Sequence, residues 1–183
     1  MKKLLFITTL LLAFLPQVHA QKAALSTNLV EYANLLTLNA EGSYAVGRHW
    51  SAVAGFRYNP FSYGAEGEEF RNRQRSFSAG ARFWPWHVYS GWWFGGKLQF
   101  QEYNTGGISS KKTNEGERYG AGLAGGYTHM LLRCLNLEFG IGLWGGMDDY
   151  TTYDCPTCGL TEDKGRKFFL RPDDVIVGLS YIF

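Results

Sequence analysis

Beyond residue 20 the sequence lacks any apolar run of the roughly 20 residues that a membrane-spanning helix requires. The one long apolar run, at residues 4–15, is shorter than that and follows a basic start. Val18 and Ala20 then offer small side chains of the kind that a signal peptidase reads. We therefore predict that residues 1–20 are a cleaved signal peptide and that residues 21–183 form one exported domain.

The sequence also lacks an excess of charge of either sign, with 18 Lys and Arg against 16 Asp and Glu. Loss of Lys2 and Lys3 with the signal peptide lowers the 18 basic residues to 16 and leaves the mature chain nearly neutral. Domains that bind nucleic acid carry a basic patch or stripe, and this sequence has none. We therefore predict no nucleic-acid partner.

Cysteine is scarce, and only two of the 3 cysteines are close in sequence. Cys134 is isolated, whereas Cys155 and Cys158 form a CxxC motif, which can be a disulfide, a redox pair or half of a zinc site. A zinc site would need two further ligands, for which Asp154 and Asp163 are weak candidates. We predict a small disulfide that stiffens a loop, with no metal and no cofactor.

The sequence is rich in aromatic residues, at 16%, and in glycine, with 23 residues. In an exported chain without a spanning helix, this composition favours a β-barrel. Apolar and polar residues alternate with a period of two, as in a strand with two unlike faces. The alternating segments, about ten residues each as a tilted transmembrane strand needs, are residues 23–32, 36–46, 50–59, 77–83, 92–101, 119–128, 135–143 and 174–183. The sequence thus predicts an all-β fold, an eight-stranded antiparallel up-and-down transmembrane β-barrel.

The connections between these segments alternate between short and long, which orients the predicted barrel. Short turns lie at residues 47–49, 85–90 and 131–134, and long polar connections at residues 60–74, 104–117 and 147–172. Outer-membrane barrels have short periplasmic turns and longer extracellular loops. We therefore predict a bacterial outer-membrane protein with both mature termini in the periplasm. Only the first external connection, near residues 33–35, is short.

The polar face of the alternating segments indicates which side is the lumen. A water-soluble barrel would carry many Lys and Glu on that face. Here the face holds mostly Gly, Ser, Thr, Asn and Ala, which suit the narrow interior of eight strands. Aromatic residues of the apolar face lie near both strand ends, as in membrane girdles: Tyr44, Trp50, Phe83, Trp92 and Tyr127 at one end, and Tyr58, Phe100 and Tyr119 at the other. The apolar face is therefore predicted to contact lipid.

The end of the chain resembles the C-terminal signal of outer-membrane barrels. Gly178 is followed three residues later by the aromatic Tyr181, and the chain ends with the aromatic Phe183. The polar residue that usually lies two places before the glycine is replaced by Ile176. The resemblance implies that the barrel-assembly machinery is a partner of this chain.

Two further segments resemble an uncharacterised small-barrel family of Bacteroidetes outer membranes. Residues 25–29, LSTNL, open the mature chain, and residues 57–61, RYNPF, end a strand in the way that members of the family do. The resemblance covers nearly the whole mature chain. It implies a small outer-membrane barrel and no known activity.

Charged residues on the face predicted to line the lumen are Glu41, Arg57, Arg82, Lys97 and Glu138. An unpaired charge in a packed lumen is unfavourable, so we predict ion pairs across it. Counting along the strands pairs Glu41 with Lys97 or Arg57. The same counting pairs Arg82 with Glu138. Such a network could be a gated ion path or a plug that holds the barrel together; we favour the plug, because an eight-stranded interior is normally filled by side chains.

The positions of the histidines do not suggest catalysis. His19 lies in the predicted signal peptide, and His49, His87 and His129 lie at predicted periplasmic turns. Small-barrel enzymes that act on lipid A or peptides work at the outer rim, where a His is paired with Ser, Asp or Glu. We therefore predict that the protein is not an enzyme.

Two functions are compatible with these features. The first is a structural or interaction barrel whose ordered outer loops, at residues 64–75 and 150–169, bind an envelope or surface partner. The alternative is a narrow channel or transport accessory that uses the charged lumen. Arg71, Arg73 and Arg75 also suit contact with lipopolysaccharide phosphates in the outer-membrane lipid.

Overall fold

The computed structural model describes residues 22–64, 70–107, 112–154 and 161–183. In these residues the chain forms a closed antiparallel barrel of eight strands, with one short extra strand and one short helix. The predicted all-β fold and the eight antiparallel strands are confirmed. The predicted signal peptide lies outside the described residues. In the part of the chain described, no helix is long and apolar enough to cross a membrane.

The elements follow one another in an up-and-down order. Their bounds are β1 (Ala23–Asn28), α1 (Leu29–Ala33), β2 (Leu38–Ala45), β3 (Trp50–Asn59), β4 (Ser62–Tyr63), β5 (Phe70–Phe83), β6 (Gly91–Gly106), β7 (Thr113–Leu132), β8 (Leu135–Tyr153) and β9 (Thr161–Ile182). The two-residue strand β4 pairs only with β5 and lies outside the ring. β3 pairs directly with β5, and β9 pairs with β1, so the ring of eight strands is closed.

The wall of the barrel is apolar on its outer face and polar on its inner face. Leu123 on the outer face is 74% exposed, whereas Ser51 on the inner face is 1% exposed. This is the reverse of a water-soluble protein, in which large apolar side chains are buried. Because successive residues of a strand point to opposite faces, the alternation in the sequence produces this inside-out wall directly.

The first strand is shorter than the sequence predicts, because Asn28 ends it. β1 stops at Asn28 rather than at Tyr32, and the helix α1 follows. The Asn28 side chain accepts a hydrogen bond from Val30 N, which caps the helix. It also donates to Val175 O at 2.9 Å and accepts from Val177 N at 3.1 Å, both on β9. One asparagine side chain therefore starts the helix and continues the pairing with β9.

Side-chain hydrogen bonds also secure the segment between α1 and β2. Asn39 Nδ2 donates to Asn28 O at 2.9 Å, and Asn59 Nδ2 donates to Leu35 O and to Thr37 Oγ1, each at 3.0 Å. Leu35 has a φ of 51°, a left-handed conformation that is unfavourable for a residue with a side chain. These amide bonds hold the strained turn in place, so the wall between β2 and β9 is closed by α1 and this turn at the end opposite the short turns.

β5–β9 extend well past the predicted segments, so the predicted long connections are largely strand. These strands are 14, 16, 20, 19 and 22 residues long. The apolar alternation ends where charged residues replace apolar ones on the outer face, but the pairing of the strands continues. Cross-strand ion pairs such as Arg75–Glu102, at 2.6 Å, then accompany the backbone ladder. We call this extension the projecting sheet: residues 70–75, 102–106, 113–117, 149–153 and 161–166.

The turn between β5 and β6 folds into the barrel and fills its short-turn end, the end with the turns at residues 46–49, 84–90 and 133–134. Trp84, Tyr89 and Trp93 are buried together there, and we call these three residues the aromatic plug. Trp84 Nε1 donates to Ser51 Oγ at 3.0 Å, and Asn136 Nδ2 donates to Tyr89 O at 2.7 Å. Side chains from two other strands, β3 and β8, thus hold the plug inside the wall.

Glycines on β7 and β8 leave the space that Trp93 occupies. A Cβ atom on Gly126 would lie 2.7 Å from Trp93 Cζ2, and one on Gly140 would lie 3.0 Å from the same atom. The indole therefore lies against two positions that accept no side chain. Part of the glycine content of the sequence is explained by this packing of large side chains against a wall of small residues.

Gly126→Ala should lower the free energy of unfolding by about 1–3 kcal/mol, because its Cβ would collide with Phe139 O, would lie 2.7 Å from Trp93 Cζ2 and would overpack the wall. Gly47→Ala is the matched control, since no atom lies within 4 Å of the added Cβ. The control should change the value by no more than about 0.5 kcal/mol. Urea titration of the protein refolded in detergent micelles measures both. Equal values for the two variants would contradict the packing role of Gly126.

Candidate functional site

The lumen contains a buried cation, Arg82, between two carboxylates. Arg82 Nη1 donates to Glu138 Oε1 at 2.7 Å, and Arg82 Nη2 lies 2.6 Å from Glu41 Oε1. The guanidinium carbon also lies 4.2 Å from the centroid of the Trp93 ring, a cation–π contact. This Arg82 cluster links β2, β5, β6 and β8 through one side chain.

The expected partner of Glu41 is wrong. Glu41 was predicted to pair with Lys97 or Arg57. It forms an ion pair with Arg82 instead, and Arg82 also binds Glu138. Strands of a barrel are tilted and staggered, so equal counts from the strand ends do not correspond to equal heights in the lumen. A prediction that uses counting alone therefore misplaces the partners by a few residues.

Arg57 and Lys97 instead share a carboxylate that the sequence analysis missed, Asp173. Arg57 Nη1 donates to Asp173 Oδ2 at 3.2 Å, and Lys97 Nζ donates to the same oxygen at 3.1 Å. Arg57 Nε lies a further 3.6 Å from Glu31 Oε1 of α1. Two cations compensate the buried Asp173 charge, as a buried carboxylate requires. We call this group the Asp173 cluster.

A β-bulge directs Asp173 into the lumen. Ile141 faces Val175 whereas Leu143 faces Pro172, so β9 has one residue more than β8 at this point. Such a bulge re-aims a side chain that would otherwise follow the regular alternation. Asp173 was missed because it lies between the predicted connection, which ends at residue 172, and the predicted strand, which begins at residue 174. Pro172, which has no N–H for the ladder, is the signal in the sequence for an irregular point of this kind.

A third cluster surrounds the buried Asp148 on the side of the projecting sheet. Tyr103 donates its hydroxyl to Asp148 Oδ1 at 2.8 Å, and Arg118 Nε lies 3.2 Å from Asp148 Oδ2. The Arg118 guanidinium carbon lies 3.6 Å from the centroid of the Tyr103 ring. Lys167 Nζ is a more distant partner of Asp148 at 3.8 Å. The Asp148 cluster was not predicted, because its residues lie outside the eight predicted segments.

A cavity of about 90 Å³ lies between the Arg82 cluster and the Asp173 cluster. Arg82, Glu138 and Trp93 line it from the first cluster, and Arg57 and Lys97 line it from the second. Such a volume holds a few water molecules, for which the charged groups offer hydrogen-bond partners. Chemically, the arrangement is suited to holding strands together through paired charges and ordered water.

The outer surface of the projecting sheet has a groove of about 630 Å³. Arg75 lines it and pairs with Glu102, and Asp149 lines its far side. The Arg166 side chain donates to the exposed Asp149 carboxylate and lowers its pKa, because this hydrogen bond favours the charged form. We call this surface the outer groove. It lies largely on strands where loops were expected.

Two predicted sites remain, the loop disulfide and the C-terminal assembly signal. Cys155 and Cys158, the predicted disulfide, lie outside the described residues. Tyr181 and Phe183 lie at the short-turn end, where their rings are 4.9 Å apart, whereas Gly178 faces Asn28 at the other end of β1. In the four described ranges, no three His, Cys, Asp or Glu side chains are grouped so as to hold a metal ion.

The comparison of the sequence with known families identifies one match. Residues 6–183 match the family described as protein of unknown function (DUF3575), and the chain belongs to this family. Neither the curated proteins nor the solved structures contain a match to the chain. The match agrees with the expectation of an uncharacterised family over nearly the whole of the predicted mature chain.

Arg82→Gln should lower the free energy of unfolding by about 3–5 kcal/mol, because it leaves two carboxylates in the lumen without their shared cation. Arg166→Gln is the matched control, since the Arg166–Asp149 side chains are 60% and 37% exposed. An exposed ion pair of this kind contributes at most about 1 kcal/mol. Urea unfolding in micelles measures both variants, and a loss for Arg82→Gln no larger than that of the control would contradict a structural role for the cluster.

Proposed function

We propose that this DUF3575 protein is an integral outer-membrane β-barrel of the Bacteroidetes type, whose lumen is closed by its own side chains and whose outer end binds another component of the cell envelope. The single observation that carries the proposal is the inside-out wall. Large apolar side chains surround the barrel, and buried ion pairs fill its interior. Acyl chains of the membrane would cover the apolar side chains, and the buried charges compensate one another within the lumen.

The register of the strands supports an outer membrane boundary. On five neighbouring strands, an outward apolar residue is followed two positions further out by a charged one. The apolar row is Phe77, Phe100, Tyr119, Met147 and Phe168, and the charged row is Arg75, Glu102, Glu117, Asp149 and Arg166. Hydrocarbon accepts the first row and disfavours the second. The boundary therefore lies between the rows, with the projecting sheet in the extracellular water.

The short-turn end supports a periplasmic interface. Tyr44, Trp50 and Trp92 are exposed on the outer face near this end. Tyr and Trp are enriched at membrane interfaces, where an apolar ring and a polar atom meet both environments. β1 begins and β9 ends at the same short-turn end, which supports two periplasmic mature termini.

The filling of the lumen supports a closed barrel. The aromatic plug occupies the short-turn end, and the Arg82, Asp173 and Asp148 clusters follow it along the interior. An ion that crossed would have to displace the indoles of the plug and separate paired buried charges, which is strongly unfavourable. The cavity of about 90 Å³ between two clusters is the observation that favours the second candidate, a narrow channel or transport accessory.

The unmodified protein should give no steady conductance in planar lipid bilayers. The double variant Trp84→Ala/Trp93→Ala should raise the conductance above that of the unmodified protein, because it removes both indoles of the aromatic plug and the ring that Arg82 contacts. Trp86→Ala/Trp92→Ala is the matched control, since both of these side chains are exposed on the outside, and it should remain closed. Each variant is first checked for the heat-modifiable migration of a folded barrel. A steady open channel in the unmodified protein would overturn the closed lumen in favour of the channel.

The contacts of His49 and His87 support a packing role for these two histidines, and no enzymatic activity is proposed. His49 Nδ1 lies 2.8 Å from Trp84 O, and the His87 ring is stacked on His49 with a centroid distance of 6.4 Å. Both are at the short-turn end, away from the outer groove.

The projecting sheet supports the recognition role. Its strands are paired, so little conformational entropy is lost when a partner binds. Its exposed residues are largely charged, which suits a polar partner at the cell surface. The residues expected to bind a partner, 64–75 and 150–169, lie partly on this sheet, with residues 65–69 and 155–160 outside the described part.

Shortening the β8–β9 hairpin should abolish partner capture while the barrel still inserts. Replacing residues 150–165 by Asn-Gly joins Asp149 to Arg166, which are partners in the register, through a two-residue hairpin turn. Replacing residues 104–115 in the same way is the control, since it joins Tyr103 to Gly116 and leaves β8–β9 intact. Proteins cross-linked in native membranes are then identified. Capture of the same partner with and without the β8–β9 hairpin would contradict the recognition role.

A further inference from the structure

Three arginines form a row along the outward face of β5. Arg71, Arg73 and Arg75 occupy alternate positions of this strand, beyond the outward apolar residue Phe77. Alternate residues of a strand share a face and are about 7 Å apart. The arginines therefore form a regular ladder, which we call the arginine ladder, where the sequence analysis expected a loop.

The arginine ladder begins at the depth where the membrane would end. The segment of β5 from Arg75 to its short-turn end at Phe83 contains nine residues, close to the 9–11 or so residues that a tilted strand needs to cross. Arg75 has Tyr58 as its partner on β3, and the Phe56 and Phe77 rings lie 5.0 Å apart just below. Aromatic residues of this kind mark the interface with lipid headgroups. Arg75 thus lies at headgroup level, and the other two arginines follow outwards.

The charge around the arginine ladder favours an anion. Arg75 pairs with Glu102, but the side chains are 54% and 41% exposed, and exposed pairs of this kind are weak. Arg73 faces Asn104 in the register with β6, so no carboxylate lies directly opposite it. A phosphate group offers a guanidinium two parallel hydrogen bonds and more charge than one carboxylate.

The outer groove lies directly beside the arginine ladder and separates its charges. Arg73 and Arg75 line one side of the groove together with Tyr58, whereas the carboxylates line the rest of it: Glu102, Glu115, Glu117 and Asp149. An anionic group would be attracted to the first side and repelled from the rest of the groove. The groove volume of about 630 Å³ leaves room for a sugar next to the phosphate.

We propose that the arginine ladder binds the phosphate groups of a phosphorylated glycolipid in the outer leaflet of the membrane. The acyl chains of this lipid would lie against Phe56 and Phe77, and its sugar would enter the outer groove. The inference rests on the outer-membrane location proposed above, and it adds a ligand class and a site to that proposal.

The test uses the full mature protein in detergent micelles and three probes: lipid A with two phosphates, the same lipid without phosphate, and inorganic phosphate. Bound lipid is counted by native mass spectrometry. Arg71→Gln/Arg73→Gln/Arg75→Gln should bind phosphorylated lipid A about tenfold more weakly than the unmodified protein, because charge-assisted contacts are lost. The matched control is Lys22→Gln/Arg48→Gln/Arg133→Gln, which removes the same charge from exposed side chains at the short-turn end and should stay within about twofold.

Three results would overturn the proposal that the arginine ladder binds the glycolipid. They are an equal loss of binding in the control variant, equal affinity of the unmodified protein for lipid A without phosphate, and displacement of the bound lipid by millimolar inorganic phosphate. The last would mean that the site binds free phosphate rather than the lipid.

Failure of the outer-membrane proposal gives a different result. A mature protein that stays soluble and monomeric without detergent removes the membrane location. A heat-modifiable barrel that needs detergent, but binds lipid A independently of the three arginines, removes only the arginine ladder.

Discussion

The pairing of buried charges across a narrow lumen is the constraint on which the rest of this barrel depends. Arg82 binds carboxylates from β2 and β8, and Asp173 binds cations from β3 and β6. Each contact joins strands that are distant in sequence, and each has few alternatives, since an unpaired charge inside the barrel is highly unfavourable. The apolar outer face is far more permissive, because one large apolar side chain can replace another there. The residues of the lumen therefore determine the strand register, whereas the residues of the outer face determine the surroundings that suit the barrel.

Glycine and tryptophan act together in making that interior solid. Trp93 lies against Gly126 and Gly140, and its ring also carries the Arg82 guanidinium. The Trp93 indole contacts glycines on one side and the Arg82 guanidinium on the other, so it connects the aromatic plug to the Arg82 cluster. This arrangement explains why a sequence with so many small lumen residues still encloses little empty space between its first two clusters.

The sequence was a good guide to the wall and a poor one to its interruptions. Alternation over residues 36–59 predicts β2 and β3 almost to the residue, because each face has a different solvent and the period is strict. The end of β1 could not be predicted, since it depends on Asn28 reaching Val175 and Val177, which are about 150 residues away. Asp173 depends on a bulge, and the partner of Glu41 depends on strand stagger. Neither is visible in a count along one strand.

The strict period of two also makes the outer hairpins modular. A pair of residues added to both strands of a hairpin lengthens the projecting sheet and leaves every lumen residue below it facing inwards. A single added residue would turn the following side chains to the wrong face unless a bulge absorbed it, as the bulge beside Asp173 does in β9. The projecting sheet can therefore change its reach in steps of two residues per strand, while the buried salt bridges beneath it stay unchanged.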